Sequence, residues 1–222
     1  MTEDRAVFLM AIAAAVPLFE APELTARWDE ESALSRWSVR GLAGHLLRAT
    51  TSVEAYLDRP EPGPDEEVLS ASAYYAAAIY SDIGDAPSTG PDLDSGLHTA
   101  VRARGEDAAA GGPEVLARDW SEAGSRLTVR LAAEAPERRV RVFNDLVIRL
   151  DDYLVTRLVE LCLHVDDLAV SLGVDPPPLP ASATGRVVGT LVELARARHG
   201  DVAVLRALAR RERDVAGALR VI

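Results

Sequence analysis

Apolar residues recur at helical spacing along most of the chain, and this pattern predicts a mainly α-helical fold. Residues 4–20 place their large apolar side chains along one helical face. Residues 38–57 form a second predicted helix, in which Ser38 can cap the first turn. The long, largely apolar stretch over residues 151–173 predicts a core helix. Further helices are predicted around Tyr74, Tyr75 and Tyr80, over residues 97–110 and 114–133, and as two helices with a short apolar tail over residues 182–222.

One segment departs from the helical pattern. Residues 139–150 alternate between apolar and polar side chains and carry Asn144-Asp145 in the middle. Alternation around a turn-forming pair predicts a short β-hairpin, although the pair lacks the glycine that two-residue turns favour.

The chain of 222 residues is long enough for one sizeable domain, and a proline-rich segment at 175–180 ends the core helix. We therefore expect an all-α (mainly) fold: a helical bundle over residues 1–178, and a short helical extension over residues 179–222 packed on it.

Charge and composition exclude several classes of function. The net charge of −11 argues against nucleic acid as a partner, because no basic surface is available to replace phosphate counterions. It also disfavours anionic membranes. The apolar run at residues 6–19 follows acidic residues and is too short to span a bilayer, so we expect a buried helix. The single cysteine, Cys162, fits a reducing cytoplasm and is expected to be an inert core thiol.

The choice of basic residues indicates the kind of genome that encodes the chain. The sequence contains no lysine, so its 24 basic residues are all arginine. With abundant alanine, glycine, proline and valine, this composition is typical of a GC-rich genome such as those of actinomycetes.

The core helix carries a line of polar residues that an ordinary core helix does not need. Four of them follow one another at spacings of three and four: Arg157, Glu160, His164 and Asp167. At this spacing the side chains stack along one helical face. Leucines flank the line on one side and valines on the other, which indicates that the line faces the protein interior rather than solvent.

A carboxylate and an imidazole held inward together are typical of a metal site. Glu160 and His164 project to the same point, and His45 in the second helix lies among apolar neighbours. Two histidines and one carboxylate from two helices leave positions open for water or substrate, as in catalytic sites. Asp167, one turn beyond His164, is placed to hydrogen-bond a metal ligand or to orient a substrate.

Simpler interpretations of the same residues stay open. His45 and His164 can be ordinary core residues with satisfied hydrogen bonds. Glu160 can form a plain helix pair with His164 or with Arg157, since such spacings are common in helices.

Two motifs add a family resemblance. Residues 37–50 read WSVRGLAGHLLRAT and residues 152–173 read DYLVTRLVELCLHVDDLAVSLG, giving W-S-V-R-x-L-x-x-H and then E-x-x-x-H-x-x-D. This pair resembles the mycothiol-dependent maleylpyruvate isomerase family of the DinB-like superfamily, and ARHGDVAVLRALARRER near the C-terminus resembles its actinobacterial members. The resemblance implies a bundle of four long helices and a divalent metal, zinc or else nickel, held by His45, Glu160 and His164. It also implies mycothiol as the thiol cosubstrate.

We therefore expect a cytoplasmic, mycothiol-dependent isomerase or S-transferase, monomeric or homodimeric. Its metal would hold the mycothiol sulfur as thiolate for addition to a small electrophile. Arg157, which matches a frequent arginine of the family, and Asp167 are the expected catalytic residues. Two other classes remain: a non-catalytic metal-binding protein with a stress or ligand-binding role, and a helical interaction protein without metal.

Overall fold

The computed structural model describes residues 1–78 and 93–210, together with Glu212, residues 216–219 and Val221. Over these residues the fold is mainly α-helical with one small two-stranded sheet, as the sequence predicts. Four long helices form the bundle: α1 (Glu3–Phe19), α3 (Val39–Leu57), α6 (Pro113–Ala133) and α7 (Leu150–Leu172). Further helices lie between or after them: α2 (Pro22–Ala26), α4 (Ala71–Ala78), α5 (Gly96–Ala108), α8 (Ala181–His199), α9 (Asp201–Ala209) and α10 (Ala216–Leu219).

The four long helices surround one apolar core. Helix α1 packs against both α6 and α7, and α3 does the same. Helices α1 and α3 therefore lie at opposite corners of the bundle, and so do α6 and α7. The predicted N-terminal helix is confirmed as α1, and its Phe8 and Ile12 side chains are buried in this core. Among the helices of the described ranges, none is long and apolar enough to cross a membrane.

The ends of α3 and α7 follow from local sequence. The predicted cap is present: Ser38 Oγ accepts a hydrogen bond from the backbone N–H of Gly41. Helix α7 ends at Gly173, whose φ of 70° is the left-handed conformation that glycine adopts without strain. These caps fix where α3 begins and where α7 ends, the two helices that carry the polar site residues.

The predicted hairpin is confirmed and leads directly into α7. Strands β1 (Arg139–Arg141) and β2 (Val147–Arg149) pair antiparallel. Asn144 and Asp145 both have positive φ, at 55° and 58°. Asparagine and aspartate tolerate the left-handed region better than other non-glycine residues, so the pair turns the chain without a glycine.

Helix α5 packs unusually close to α3. A Cβ added to Gly44 would lie 2.0 Å from the carbonyl oxygen of Gly105, which shows that the two backbones nearly touch. Glu106 strengthens the contact by accepting a hydrogen bond from Arg40 Nε. The contact falls on the turn of α3 that precedes His45, so α5 fixes the position of that turn.

Some elements differ from the prediction. Helix α2 was not predicted, although Pro22 at its first position is a common start signal. The expected C-terminal tail begins inside a short helix, α10. Tyr80 lies outside the described residues. Helix α8 packs against α7 and α1. The division of the chain into a bundle over residues 1–178 and an extension over residues 179–222 stays a prediction.

Candidate metal centre

Helices α3 and α7 bring three predicted ligands together at one point between them. One ligand atom from each of His45, Glu160 and His164 lies within 4.8 Å of the other two. The Nε2 atom of His45 is 3.1 Å from Glu160 Oε2, and the Nε2 atom of His164 is 3.5 Å from the same oxygen. Ligand atoms of a tetrahedral zinc ion with bonds of about 2.0 Å lie about 3.3 Å apart. The spacing of these three donors therefore fits one small divalent cation.

The cluster is mostly buried but can be reached from outside. The side chains of His45, Glu160 and His164 keep 15%, 18% and 20% of their surface exposed. The two imidazoles meet edge to face with ring centroids 5.0 Å apart, and the Trp37 ring contacts His45 in the same way at 5.2 Å. Partial exposure leaves the three donors accessible to solvent.

Asp167 orients one of the two imidazoles. The Nδ1–H of His164 donates a hydrogen bond of 2.9 Å to Asp167 Oδ2. When His164 is neutral, this bond selects the tautomer in which Nε2, the atom that faces Glu160, carries a lone pair. Asp167 thus hydrogen-bonds one of the predicted metal ligands, which is one of the two contacts that its spacing predicts.

The charges of the cluster follow from burial and from these hydrogen bonds. Burial lowers the pKa of His45, although the hydrogen bond to Glu160 opposes this effect. Burial also opposes charge on His164, but Asp167 and Glu160 together raise its pKa to about 9. Burial works against the Glu160 carboxylate as well, yet hydrogen bonds from His164 and His45 hold its pKa well below the usual range. Without a cation, the cluster therefore contains a carboxylate, an imidazolium and a neutral imidazole.

Arg157 lies beside the cluster on the same face of α7. Its guanidinium Cζ stands 5.0 Å from the centre of the Tyr153 ring, and its Nε donates to Thr156 Oγ1. Within the described part of the chain, no carboxylate oxygen, that of Glu160 included, lies within 4.0 Å of this guanidinium. The alternative of a direct Arg157–Glu160 ion pair is therefore wrong, although the negative charge of Glu160 still acts on the guanidinium.

Cys162 has the properties expected of an inert thiol. It is partly buried, and burial raises its pKa to about 11. A thiol with such a pKa stays protonated at neutral pH and is a poor nucleophile. The reactive sulfur of any thiol chemistry at this site would therefore come from outside the chain.

Sequence reasoning did not identify the aromatic neighbours of the site. Trp37, at the start of α3, contacts His45, and Tyr153, one turn before Arg157, carries the guanidinium over its ring. Trp37 stands in the W-S-V-R motif eight residues before His45, and Tyr153 precedes Arg157 by four. Helical spacing could have indicated Tyr153, but the contact of Trp37 depends on how the chain enters α3.

Comparisons with known proteins identify the family and agree with the fold. The sequence model described as "Mycothiol maleylpyruvate isomerase N-terminal domain" matches residues 9–169, which is more than half of the chain. A solved structure entitled "Crystal structure of the mycothiol-dependent maleylpyruvate isomerase" superposes with a TM-score of 0.54 and 14% sequence identity. The alignment covers 87% of this chain and 68% of that one, and at this identity it shows a shared fold. Comparison with curated protein sequences gave no match.

Proposed function

This chain belongs to the mycothiol maleylpyruvate isomerase N-terminal domain family, and from that premise we propose that it is a metal- and mycothiol-dependent enzyme acting on a small electrophile. The reaction is an isomerisation or a transfer of the thiol. The observation that carries the proposal is the convergence of His45, Glu160 and His164 within 4.8 Å on a partly exposed site. Three protein donors with open positions beside them are typical of catalytic rather than structural metal sites.

The donor set indicates which metal the site would take. Two imidazole nitrogens and one carboxylate oxygen suit zinc first and nickel second. His45 and His164 would bind through Nε2, and Glu160 through its carboxylate. When bound, such a cation lowers the pKa of a thiol and holds the sulfur as thiolate at neutral pH. This matters because mycothiol must supply the nucleophile that Cys162 does not.

Three further residues orient the proposed metal ligands and the substrate. Asp167 holds His164 in one tautomer and one orientation, so no reorganisation of this ligand is needed during the reaction. The Trp37 ring packs on His45 and restricts its rotation. Arg157 presents a charged guanidinium one turn of α7 before Glu160, where it would bind a carboxylate of the substrate and orient it.

The two reaction types share their first step. The mycothiol sulfur adds to an electrophilic carbon of the substrate. Loss of the same thiol after bond rotation gives cis–trans isomerisation. Retention of the new carbon–sulfur bond, with a proton taken up by the resulting anion or with a halide lost, gives transfer. We further propose that the protein acts in the cytoplasm, where mycothiol and a free Cys162 thiol both persist.

Turnover of mycothiol tests the proposal. Zinc-loaded protein is incubated with mycothiol and a panel of electrophiles that includes a cis-unsaturated keto acid, an epoxide and an aryl halide. We expect one class to be isomerised, or to be converted together with loss of free thiol, and the activity to disappear in His164→Ala. His199→Ala is the matched control, because His199 lies outside the cluster and this variant should retain the activity. Zinc-loaded protein that turns over none of the panel would instead indicate a non-catalytic metal-binding protein.

A further inference from the structure

A cavity of about 420 Å³ lies where the hairpin leads into α7. Its wall includes two apolar and four charged side chains: Val68 and Leu69 before α4, Glu137, Arg139 and Arg149 in and beside the hairpin, and Asp152 in the first turn of α7. Asp152 precedes Glu160 by eight residues, which is about 12 Å along the axis of α7. The cavity is therefore separate from the proposed metal site.

The wall of this cavity stands on hydrogen-bonded backbone. The N–H of Leu69 donates to the carbonyl group of Val147 at 2.8 Å, and Leu69 forms a parallel bridge with Ile148. The segment before α4 thus lies along strand β2. Across the hairpin, Arg139 of β1 stands directly opposite Arg149 of β2. Backbone pairing therefore fixes the positions from which these side chains reach the cavity.

The charged side chains of the wall form no ion pair with one another. Among the residues that the structure describes, no carboxylate oxygen of Glu137 or Asp152 lies within 4.0 Å of a guanidinium nitrogen of either wall arginine. Arg139 donates instead to backbone carbonyl groups of residues 62–64. The side chain of Arg149 is exposed and has no hydrogen-bond partner in the described part of the chain. The cavity thus contains acids and bases that do not neutralise each other directly.

Asp152 is the half-buried acid of the wall, and its charge is only partly offset. Burial raises the pKa of Asp152, and the positive charges of Arg149 and Arg186 oppose this effect. A spacing of three residues allows an ion pair within a helix. Arg149, however, has the extended backbone of strand β2, with φ −65° and ψ 143°, so its side chain does not follow the helical spacing to Asp152. A gap therefore remains between the two opposite charges.

The chemistry of the wall indicates what would fill this gap. A carboxylate such as that of Asp152 accepts hydrogen bonds from an ammonium group, and a guanidinium binds a carboxylate through two parallel hydrogen bonds. A simple anion would meet the negative charges of Asp152 and Glu137, and a simple cation would meet the two arginines. A small zwitterion offers one group to each, and the side chains of Val68 and Leu69 add an apolar surface.

We propose that this cavity binds an α-amino acid with an apolar side chain. Asp152 would bind the ammonium group and Arg149 the carboxylate, while Val68 and Leu69 contact the side chain of the ligand. Such a site needs neither the metal nor mycothiol, so it is independent of the proposed reaction and adds a second ligand to the protein.

Titration of zinc-loaded, isotope-labelled protein with leucine at pH 7, followed by NMR of the backbone amides, tests the site. Leucine is compared with 4-methylpentanoate, which lacks the ammonium group, and with 3-methylbutylamine, which lacks the carboxylate. Leucine should produce saturable shifts at residues 68–70, 137–139 and 149–152. Each analogue should bind at least about tenfold more weakly, because it loses one charge-assisted contact.

Substitution of the two bridging residues tests their roles. Asp152→Asn and Arg149→Gln should each weaken leucine binding about ten- to hundred-fold. The controls Asp166→Asn and Arg206→Gln, at exposed positions of α7 and α9, should leave it unchanged. Without leucine, both wall variants should melt within about 4 °C of the wild type, since neither side chain has a close partner to lose. A much lower melting temperature would reveal a structural partner and contradict the unpaired charges from which the site is inferred.

Three other results would overturn the proposal. Leucine that produces no saturable shift at the wall would show that the cavity is not a ligand site. Shifts that both wall variants retain would place the binding elsewhere on the protein. Binding of 4-methylpentanoate as tight as that of leucine would contradict the assignment to zwitterions.

Discussion

Replacing Gly44 with alanine tests the close contact between α3 and α5 that positions His45. The added Cβ would lie 2.0 Å from the Gly105 carbonyl oxygen and 3.1 Å from the backbone nitrogen of Ala109. Ordinary contacts of a Cβ begin at 3.4 Å, so the two helices would have to separate by about 1.4 Å. Both obstacles are backbone atoms, which no change of side-chain rotamer can relieve.

The magnitude follows from comparison with a glycine that has free space. Gly189 lies inside α8, and a Cβ added there meets no atom within 4 Å. Alanine gains up to about 1 kcal/mol in helix propensity at either position. The two variants therefore differ by the overpacking alone, which costs about 1–3 kcal/mol. For a chain of this length, 1 kcal/mol shifts the melting temperature by about 2–4 °C.

The assay is thermal unfolding of Gly44→Ala beside Gly189→Ala, followed by circular dichroism. We expect Gly189→Ala to melt at or above the wild-type temperature and Gly44→Ala to melt about 2–12 °C below Gly189→Ala. Zinc affinity should also fall in Gly44→Ala, because the displaced turn carries His45. Equal melting temperatures for the two variants would refute the close approach of the two backbones.

Three other predictions concern the ligand set and the ends of the bundle helices. Asp167→Asn should weaken zinc binding about ten- to hundred-fold in a chelator competition above about pH 10, where His164 has lost its proton. Asp166→Asn, at an exposed neighbour, should not weaken it, and equal losses would count against the orienting role of Asp167. The folded, cation-free protein holds the pKa of His164 at about 9, so zinc binding at pH 7.5 should release about one proton per ion, and this release should vanish above pH 10. Calorimetry in buffers of different protonation enthalpy measures the number of protons released. Zero release at pH 7.5 would refute the prediction. Arg5→Met should lower the free energy of unfolding, measured by urea denaturation, by about 3–5 kcal/mol. The substitution breaks the ion pair with Asp151 and leaves three carbonyl groups near the end of α6 unpaired. The control Arg118→Met, at an exposed ion pair, should change this free energy by less than about 1 kcal/mol.

The closeness of Glu160 and His164 could be predicted from the sequence because it depends on local geometry. Glu160 and His164 share a helical face at any position of α7, and the apolar flanks of the polar line indicate which way that face turns. His45 was the harder of the three to assign by pattern, since a lone inward histidine has several interpretations. Only the packing of α3 on α7 brings its Nε2 atom within 3.1 Å of Glu160.

The features that the sequence did not indicate depend on contacts between distant segments. The approach of α5 to α3 needs small residues in both helices, and Gly44 and Gly105 stand 61 positions apart in the chain. The hairpin turn was predicted from Asn144-Asp145, whose preference for the turn is a property of the residues themselves.

Elemental analysis of the untagged protein tests the three-ligand metal site most directly. The wild type is measured beside His45→Ala, His164→Ala and the control His199→Ala. We predict about one divalent ion per chain in the wild type and in His199→Ala, and none in the other two variants. No metal in the wild type after incubation with zinc and dialysis, or metal retained in both ligand variants, would contradict the site.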